Sequence, residues 1–330
     1  MSARPVEAPP RPAPPRRSPA GWRIVARKEL ADHLLSARFA VLLVVIGLTG
    51  VAAVYAAASA IRDIAPDASG SPALFLKLFT VTADPIPFSF VQFVTFLGPL
   101  LGIAFGFDAV NGERADGTLP RLVSQPIYRD DVVNGKYVAG LGVISAILIF
   151  VLAIVAGFGI VRLGIVPTGS EVARMVVWLV GAIVYVGVWL ALAILCSVLT
   201  KKASTAALFA IAAWLVFTLF FGLITNIVAD AISPEGATTG EVLDNIKMEQ
   251  ALNRISPNTL FDESTAALLD PQVRTLGVVT FEQLDRAVVS ELSIVQSLLL
   301  VWPQLTGLIA LTTVLFAASY LAFMRQEVRA

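Results

Sequence analysis

The chain has 330 residues, of which 57% are hydrophobic and only 15% are charged. About a quarter of the residues in a soluble globular protein are charged, so this composition excludes an ordinary soluble protein and indicates a membrane protein. The 24 Lys and Arg residues balance the 24 Asp and Glu residues, which leaves no basic surplus for binding nucleic acid. A single cysteine, Cys196, and a single histidine, His33, exclude an internal disulfide and the usual zinc sites.

Two polar segments precede the first long apolar stretch. Residues 1–20 contain seven prolines and four arginines, a composition that cannot bury a core, and they are predicted to form a disordered basic tail. Residues 21–38 place apolar residues such as Val25 and Leu30 at near-helical spacing among charged residues. This pattern predicts an amphipathic helix in the membrane interface; the alternative is a helical extension of the first span.

Six apolar stretches are long enough to cross a bilayer, which needs about 20 helical residues. The fold class predicted from them is an all-α polytopic membrane protein with six transmembrane helices. Pro99 interrupts the second stretch, and Pro303 is expected to bend the sixth. In chain order the stretches are about 39–61, 88–107, 137–161, 175–199, 203–228 and 298–324. The first five make up residues 39–228, and the sixth continues into a short tail, residues 298–330.

Six spans place both termini on the same side of the membrane. The segments on that side carry 16 basic and 9 acidic residues, whereas the opposite side carries 8 basic and 15 acidic residues. Because basic residues are retained on the cytoplasmic side, both termini are predicted to be cytoplasmic, in the inner membrane of a prokaryotic cell.

The long polar segment between the fifth and sixth spans, residues 229–297, is predicted to be a mainly helical external subdomain. It contains three helix-start signals, at Thr238–Glu241, Ser256–Pro257 and Thr280–Gln283. The segment carries 11 acidic and 4 basic residues. Two interpretations follow: a solvated face, or a docking surface for an extracytoplasmic partner.

The chain lacks the residues that catalysis or ATP binding would need. None of the six stretches carries a central Lys, Arg, Asp or Glu, which gives no members for a proton relay or a buried ion site. A P-loop requires a lysine after its second glycine. The nearest match runs from Gly112 to Gly117 and continues with Thr118, without that lysine. We therefore expect no enzyme activity and no cofactor in this chain.

The connection between the second and third spans, residues 108–136, is the most informative polar segment. Gly117 offers a turn and Thr118 a cap for a short helix, in which Leu119 and Leu122 share one face. Such a helix, held at the membrane surface by Glu113 and Arg114, is suited to docking on another protein. The alternative is an ordinary polar loop.

Two motifs resemble the ABC-2 type transporter permeases, especially the branch that contains the permease of the nitrous-oxide-reductase maturation exporter. One is N-G-E-R-x-x-G-T-L-x-x-L at residues 111–122, and the other is K-E-L-x-D-x-L at residues 28–34. The resemblance implies a complex of two permeases, as a homodimer, with two separate ATPase subunits that bind ATP and Mg²⁺. It also implies that the first cytoplasmic loop forms a coupling helix seated on the ATPase. The residues that fall in this element are Glu113, Arg114, Gly117, Thr118, Leu119 and Leu122.

The second span also contains a stripe of small residues. Gly98, Gly102 and Gly106 form two overlapping G-x-x-x-G units, which allow helix backbones to approach closely. The stripe is interpreted as helix packing within one subunit, and the alternative is part of a dimer seam.

The sequence as a whole favours the permease subunit of an ATP-driven exporter, embedded in the lipid bilayer. Spans without charges favour an apolar or amphipathic substrate. The alternative is a non-transporting platform whose external subdomain docks a maturation or sensing partner. A secondary transporter is disfavoured because the spans lack ionisable residues.

Overall fold

The structure is a computed structural model that describes residues 21–64, 73–115, 117, 128–234, 236, 238–277 and 291–325. Within these ranges the chain is helical and contains no β-strand. The predicted basic tail, residues 1–20, lies outside them.

Six of the described helices are long and apolar enough to cross a membrane, which confirms the predicted polytopic all-α fold. These spans are α2 (Ala37–Ile64), α4 (Phe90–Gly106), α6 (Arg129–Leu163), α7 (Gly169–Leu199), the pair α8 (Ala203–Leu215) and α9 (Phe221–Ile232), which together form the fifth span, and α12 (Ile294–Arg325). The other helices are α1 (Gly21–Leu34), α3 (Leu74–Thr80), α5 (Asn111–Ala115), α10 (Thr239–Asn253) and α11 (Pro257–Leu269).

The third and fourth spans begin at Arg129 and Gly169, several residues before the apolar stretches that predicted them. A capping box explains the earlier start of α7. The Thr168 hydroxyl accepts the Glu171 N–H at 3.3 Å, and the Glu171 carboxylate accepts the Thr168 N–H at 2.7 Å. A capped polar first turn therefore extends the helix beyond its apolar part.

The fifth span is interrupted by a π turn, Val216–Phe220, between α8 and α9. Large apolar side chains along this span, including Leu208, Phe209 and Leu223, are exposed in the single chain. An apolar surface of this kind requires lipid or protein to cover it.

The hydrophobic core is centred on α7. Tyr185 and Trp189 are fully buried in the middle of this helix. The Tyr185 ring stacks on Phe261 of α11, with ring centroids 4.4 Å apart, and the Trp178 indole N–H donates to the Thr265 hydroxyl at 3.0 Å. Helix α11 therefore shares the core of the spans.

The N-terminal helix α1 is separate from the first span, because the helical conformation is interrupted between them at Leu35 and Ser36. The Ser36 hydroxyl accepts the Phe39 N–H at 3.3 Å, close to the start of α2. Val25 and Ala26 of α1 are buried. Val25 packs against the start of α6, where a Cβ added to Gly135 would lie 2.7 Å from it. The buried side of α1 thus faces the protein.

We name residues 238–277 the α10–α11 subdomain. Its first helix begins with the predicted capping box, in which Thr238 and Glu241 exchange hydrogen bonds. The second begins after Ser256 with Pro257 in the first turn, as predicted, although the Ser256 hydroxyl makes no capping bond. The third predicted signal, Thr280–Gln283, lies outside the described residues.

Two polar clusters fasten this subdomain to the spans. Arg174 of α7 is buried and donates to the Leu268 carbonyl at 2.9 Å and to the Ser297 hydroxyl at 3.0 Å. Glu263 of α11 accepts from the Gln304 side chain of α12 at 2.7 Å. The subdomain is consequently held between the fourth and sixth spans.

Candidate coupling site

The short helix α5 follows the second span directly and is fastened to the end of the fourth span. The fully buried Ser197 hydroxyl accepts the backbone N–H groups of Val110 at 2.9 Å and Asn111 at 3.2 Å. The Asn111 side-chain amide donates to the Thr200 hydroxyl at 3.3 Å. These bonds satisfy N–H groups at the start of α5, so α4, α5 and the end of α7 form one connected unit.

Lys136, near the start of the third span, joins this unit to the N-terminal helix. Its Nζ atom lies 2.6 Å from Oε1 of Glu113 on α5 and 3.0 Å from Oε1 of Glu29 on α1. The exposed side-chain fractions are only 5% for Lys136, 15% for Glu113 and 13% for Glu29. One ammonium therefore holds three segments of the chain together, and we name these residues the Lys136 triad.

The burial of the Lys136 triad determines how much the triad contributes to the stability of the protein. Two charges removed from water lose hydration that their mutual attraction only partly restores, so an intact buried pair adds little net stability. Removing one partner is strongly destabilising, by about 3–5 kcal/mol. The triad therefore fixes the relative positions of α1, α5 and α6 more than it raises the overall stability.

A second charged pair lies beside the triad. Arg38, at the start of the first span, lies 2.6 Å from Asp108, which follows the second span. His33 of α1 contacts the Phe105 ring edge-on, with ring centroids 5.2 Å apart. Burial lowers the pKa of His33 below its ordinary value, so its imidazole is neutral at pH 7. These residues and the triad line a cavity of about 440 Å³.

The structure describes only part of the predicted coupling element. Glu113 lies in the Lys136 triad, and Arg114 lies 3.5 Å from the Thr200 carbonyl oxygen, to which its guanidinium donates. Gly117 is exposed and has a φ of +67°, the left-handed conformation that a turn requires. Thr118, Leu119 and Leu122 lie outside the described residues, so the short helix with its apolar face stays a prediction.

The two motifs found in the sequence are joined through Lys136, which pairs with one carboxylate of each. Glu29 belongs to the motif in α1, and Glu113 belongs to the motif after the second span. Sequence reasoning assigned no function to Glu29, Lys136 or Ser197. A charge-pair signal was available for the first two, since each motif carries a carboxylate and Lys136 follows the loop, but the pairing itself spans 107 residues. Nothing in the sequence distinguishes Ser197.

The glycine stripe of the second span packs against the fourth span. A Cβ added to Gly102 would lie 2.7 Å from the Val186 carbonyl oxygen, and one added to Gly106 would lie 2.7 Å from the Ala193 Cβ. Gly98 is similarly close, at 2.9 Å, to the Val186 side chain. The stripe thus brings α4 close to α7 within the subunit, and α5 follows directly from its end.

Comparison with known proteins identifies a matching protein family and similar permease proteins. A sequence model of the family described as ABC-2 family transporter protein matches residues 23–328. The probable ABC transporter permease protein NosY of Stutzerimonas stutzeri is 33% identical over 236 residues, which cover 67% of this chain and 74% of that protein. The protein of the same name from Pseudomonas aeruginosa is 31% identical over 211 residues, which cover 62% and 69%.

Proposed function

Since the chain belongs to the ABC-2 family and is an ABC transporter permease, we propose that two copies of it export an apolar or amphipathic substrate with energy from two copies of a separate ATPase subunit. ATP and Mg²⁺ bind to the ATPase subunit. In this proposal the permease itself does not hydrolyse ATP, since its sequence lacks the phosphate-binding lysine of a P-loop.

In this proposal the face that carries α1, α5 and residues 108–136 is cytoplasmic. Over all the segments on the side that holds both termini, 16 basic residues exceed 9 acidic residues, and this surplus supports that orientation. The ATPase then meets the permease at residues 111–125, directly after the second span. The α10–α11 subdomain lies on the opposite, extracytoplasmic side.

The Lys136 triad is the observation that carries the coupling mechanism. A movement of the loop after α5 reaches the second span through the covalent chain. It reaches the third span through the ion pair between Glu113 and Lys136. It reaches the fourth span through the bonds between Asn111 and Ser197. Closure of the ATPase subunits therefore moves three spans and α1 as one body, which is a rearrangement of the hinge or shear type.

The test compares two glycines that have the same left-handed backbone conformation at opposite ends of the molecule. Gly117 and Gly164 have φ angles of +67° and +72°, and neither has an atom within 4 Å of an added Cβ. A valine at either position costs about 1–2 kcal/mol through the backbone alone. We expect Gly117→Val to lose the stimulation of the ATPase by the permease and Gly164→Val to keep it.

The measurement uses permease and ATPase purified together and placed in lipid nanodiscs. Membrane insertion and co-purification of the ATPase report folding and assembly, while ATP turnover with and without the permease reports coupling. Full stimulation by the Gly117→Val permease, or equal loss in both variants, would contradict a coupling function for this loop.

A second candidate function, the external docking platform, is favoured by the excess of acidic residues in residues 229–297. The two candidates differ in what the assembly needs. Export by a complex of only permease and ATPase argues against the platform, whereas a complex that is inactive until an extracytoplasmic protein binds argues for it.

A further inference from the structure

A large cavity lies where the α10–α11 subdomain meets the second and fifth spans. It is an open cleft of about 700 Å³, a volume within the range of small-molecule sites. The walls come from the start of α4, from the π turn and the start of α9, and from α10 and α11. This cavity is separate from the coupling site, and nothing in the coupling mechanism uses it.

The cavity wall is acidic. Glu249 of α10 and Asp262 of α11 line it, and the described lining residues include no Lys, Arg or His. Arg254 lies between these two helices, but its Nε atom is 2.9 Å from Glu263. Its positive charge is therefore already paired with the Glu263 carboxylate. Within the described wall, the two acidic side chains therefore line one cavity that has no basic residue.

Asp262 of α11 connects the cavity wall to the second span. It is exposed to the cavity, and its Oδ1 atom accepts the Thr95 hydroxyl at 2.8 Å. The protein atoms around it raise its pKa to about 6. The carboxylate is consequently ionised at pH 7, at a cost in hydration that a bound cation would offset.

Four phenylalanines supply the apolar part of the wall. Phe88 and Phe96 lie on the side of the second span, and Phe217 and Phe221 lie on the side of the fifth. The last two rings contact each other, with centroids 5.0 Å apart. Aromatic faces attract organic cations and also bury their apolar groups.

Hydrogen bonds hold the π turn of the fifth span against this wall. The Asn258 side-chain amide donates to the Thr218 hydroxyl of the π turn at 3.0 Å. The Tyr185 hydroxyl of α7 lies 2.9 Å from Oδ1 of the same Asn258. Single π turns are frequent at functional sites because they re-aim side chains without ending the helix. Here the turn directs Phe217 and Thr218 to the cavity.

We propose that this cavity binds an amphipathic organic cation, with its positive centre beside Asp262 and Glu249 and its apolar body against the phenylalanines. A neutral ligand would leave the carboxylates without a counter-ion, and an anion would be repelled by them. As a class of exported substrate, this assignment rests on the proposed function. As a binding site it does not, because binding is measurable without the ATPase.

The test uses two probes of the same size and opposite charge, tetraphenylphosphonium and tetraphenylborate. Their binding to the purified full-length permease is measured by equilibrium titration in nanodiscs of zwitterionic phosphatidylcholine, with empty nanodiscs as the blank. We expect saturable binding of the phosphonium and an affinity for the borate that is lower by about tenfold or more. Equal binding of the two ions, or no saturable binding of the phosphonium, would overturn the proposal.

Two variants, each of which removes one negative charge, test whether the phosphonium binds in this cavity. Asp262→Asn keeps an oxygen for the Thr95 hydroxyl and is expected to weaken phosphonium binding about tenfold or more. Asp244→Asn removes a charge from α10 at a side chain that is 72% exposed and outside the cavity wall, and it is expected to bind as the wild type does. Equal affinities of the two variants would refute the site.

A pH titration of phosphonium binding to the wild-type protein is a further test, and it does not require the Asp262→Asn variant to fold. The charge of the phosphonium is permanent, so its binding should weaken as the pH is lowered through about 6, where Asp262 takes up a proton. Glu249→Gln, a change at a half-buried wall residue, should also weaken it. Binding that is insensitive to both changes would overturn the proposal.

Binding by a permease that fails to stimulate the ATPase would keep the site and refute the coupling function.

Discussion

Replacing Lys136 with methionine removes the ammonium that Glu29 and Glu113 share but keeps the length of the side chain. Both carboxylates lie within 3.0 Å of this ammonium, and both are at least 85% buried. Loss of one partner from a buried ion pair costs about 3–5 kcal/mol. We expect the upper part of that range for Lys136→Met, because the change leaves two carboxylates without their cation.

The same reasoning predicts a recovery. Replacing the whole buried cluster with apolar side chains of similar volume removes the desolvation cost together with the attraction. The triple variant Glu29→Met, Lys136→Met and Glu113→Met should therefore regain most of the stability lost by Lys136→Met. Its α1 and α5 would no longer be linked by charge, so we expect weakened stimulation of the ATPase in a folded protein.

Unfolding of the purified permease in detergent micelles, followed by tryptophan fluorescence, measures both effects. Lys247→Met is the control, since Lys247 pairs with Asp244 at an exposed site where an ion pair contributes at most about 1 kcal/mol. A Lys136→Met loss no larger than the Lys247→Met loss would refute the argument from burial. A triple variant less stable than Lys136→Met would refute the argument from desolvation.

Three further predictions concern packing, docking and capping. Gly102→Ala should destabilise the protein by about 1–3 kcal/mol because the added Cβ would lie 2.7 Å from a backbone oxygen of α7; Gly157→Ala, with nothing within 4 Å, is the matched control in thermal unfolding. Arg174→Met should loosen the α10–α11 subdomain, which limited proteolysis would show as earlier cleavage there than in the wild type; unchanged cleavage would contradict the fastening inferred for this side chain. Hydrogen bonds from Thr238 lower the pKa of Glu241, so the stability that they provide is present above the ordinary pKa of a glutamate and is lost as the pH falls through the lowered value. The difference in unfolding temperature between wild type and Thr238→Ala should accordingly shrink in acid, and a difference that is constant from pH 7 to about pH 3 would contradict this.

Hydropathy predicted the six spans because a bilayer imposes a minimum length on every apolar helix, and this signal is local in the sequence. The polar first turns were missed for the same reason. Thr168 and Glu171 extend the fourth span through hydrogen bonds, which a hydropathy average does not register.

The contacts that make the candidate coupling site could not be predicted, because they join residues far apart in the chain. Glu29 and Lys136 are each one charge among several in a polar segment, and only the packing of α1 on α6 brings them together. Asp262 is a sharper example. It is one of 11 acidic residues in its segment, and its partner Thr95 is 167 positions away.

The sharing of one ammonium by two distant segments also constrains how this protein can change over evolution. A substitution at position 29 alters the charge balance felt at position 113, although the two lie on different helices and neither adjoins the other in the chain. The N-terminal helix is thus tied to the residues at positions 113 and 136. A chimera that receives α1 from another permease should work only when the incoming helix carries a carboxylate at position 29 or when positions 113 and 136 are changed to suit it.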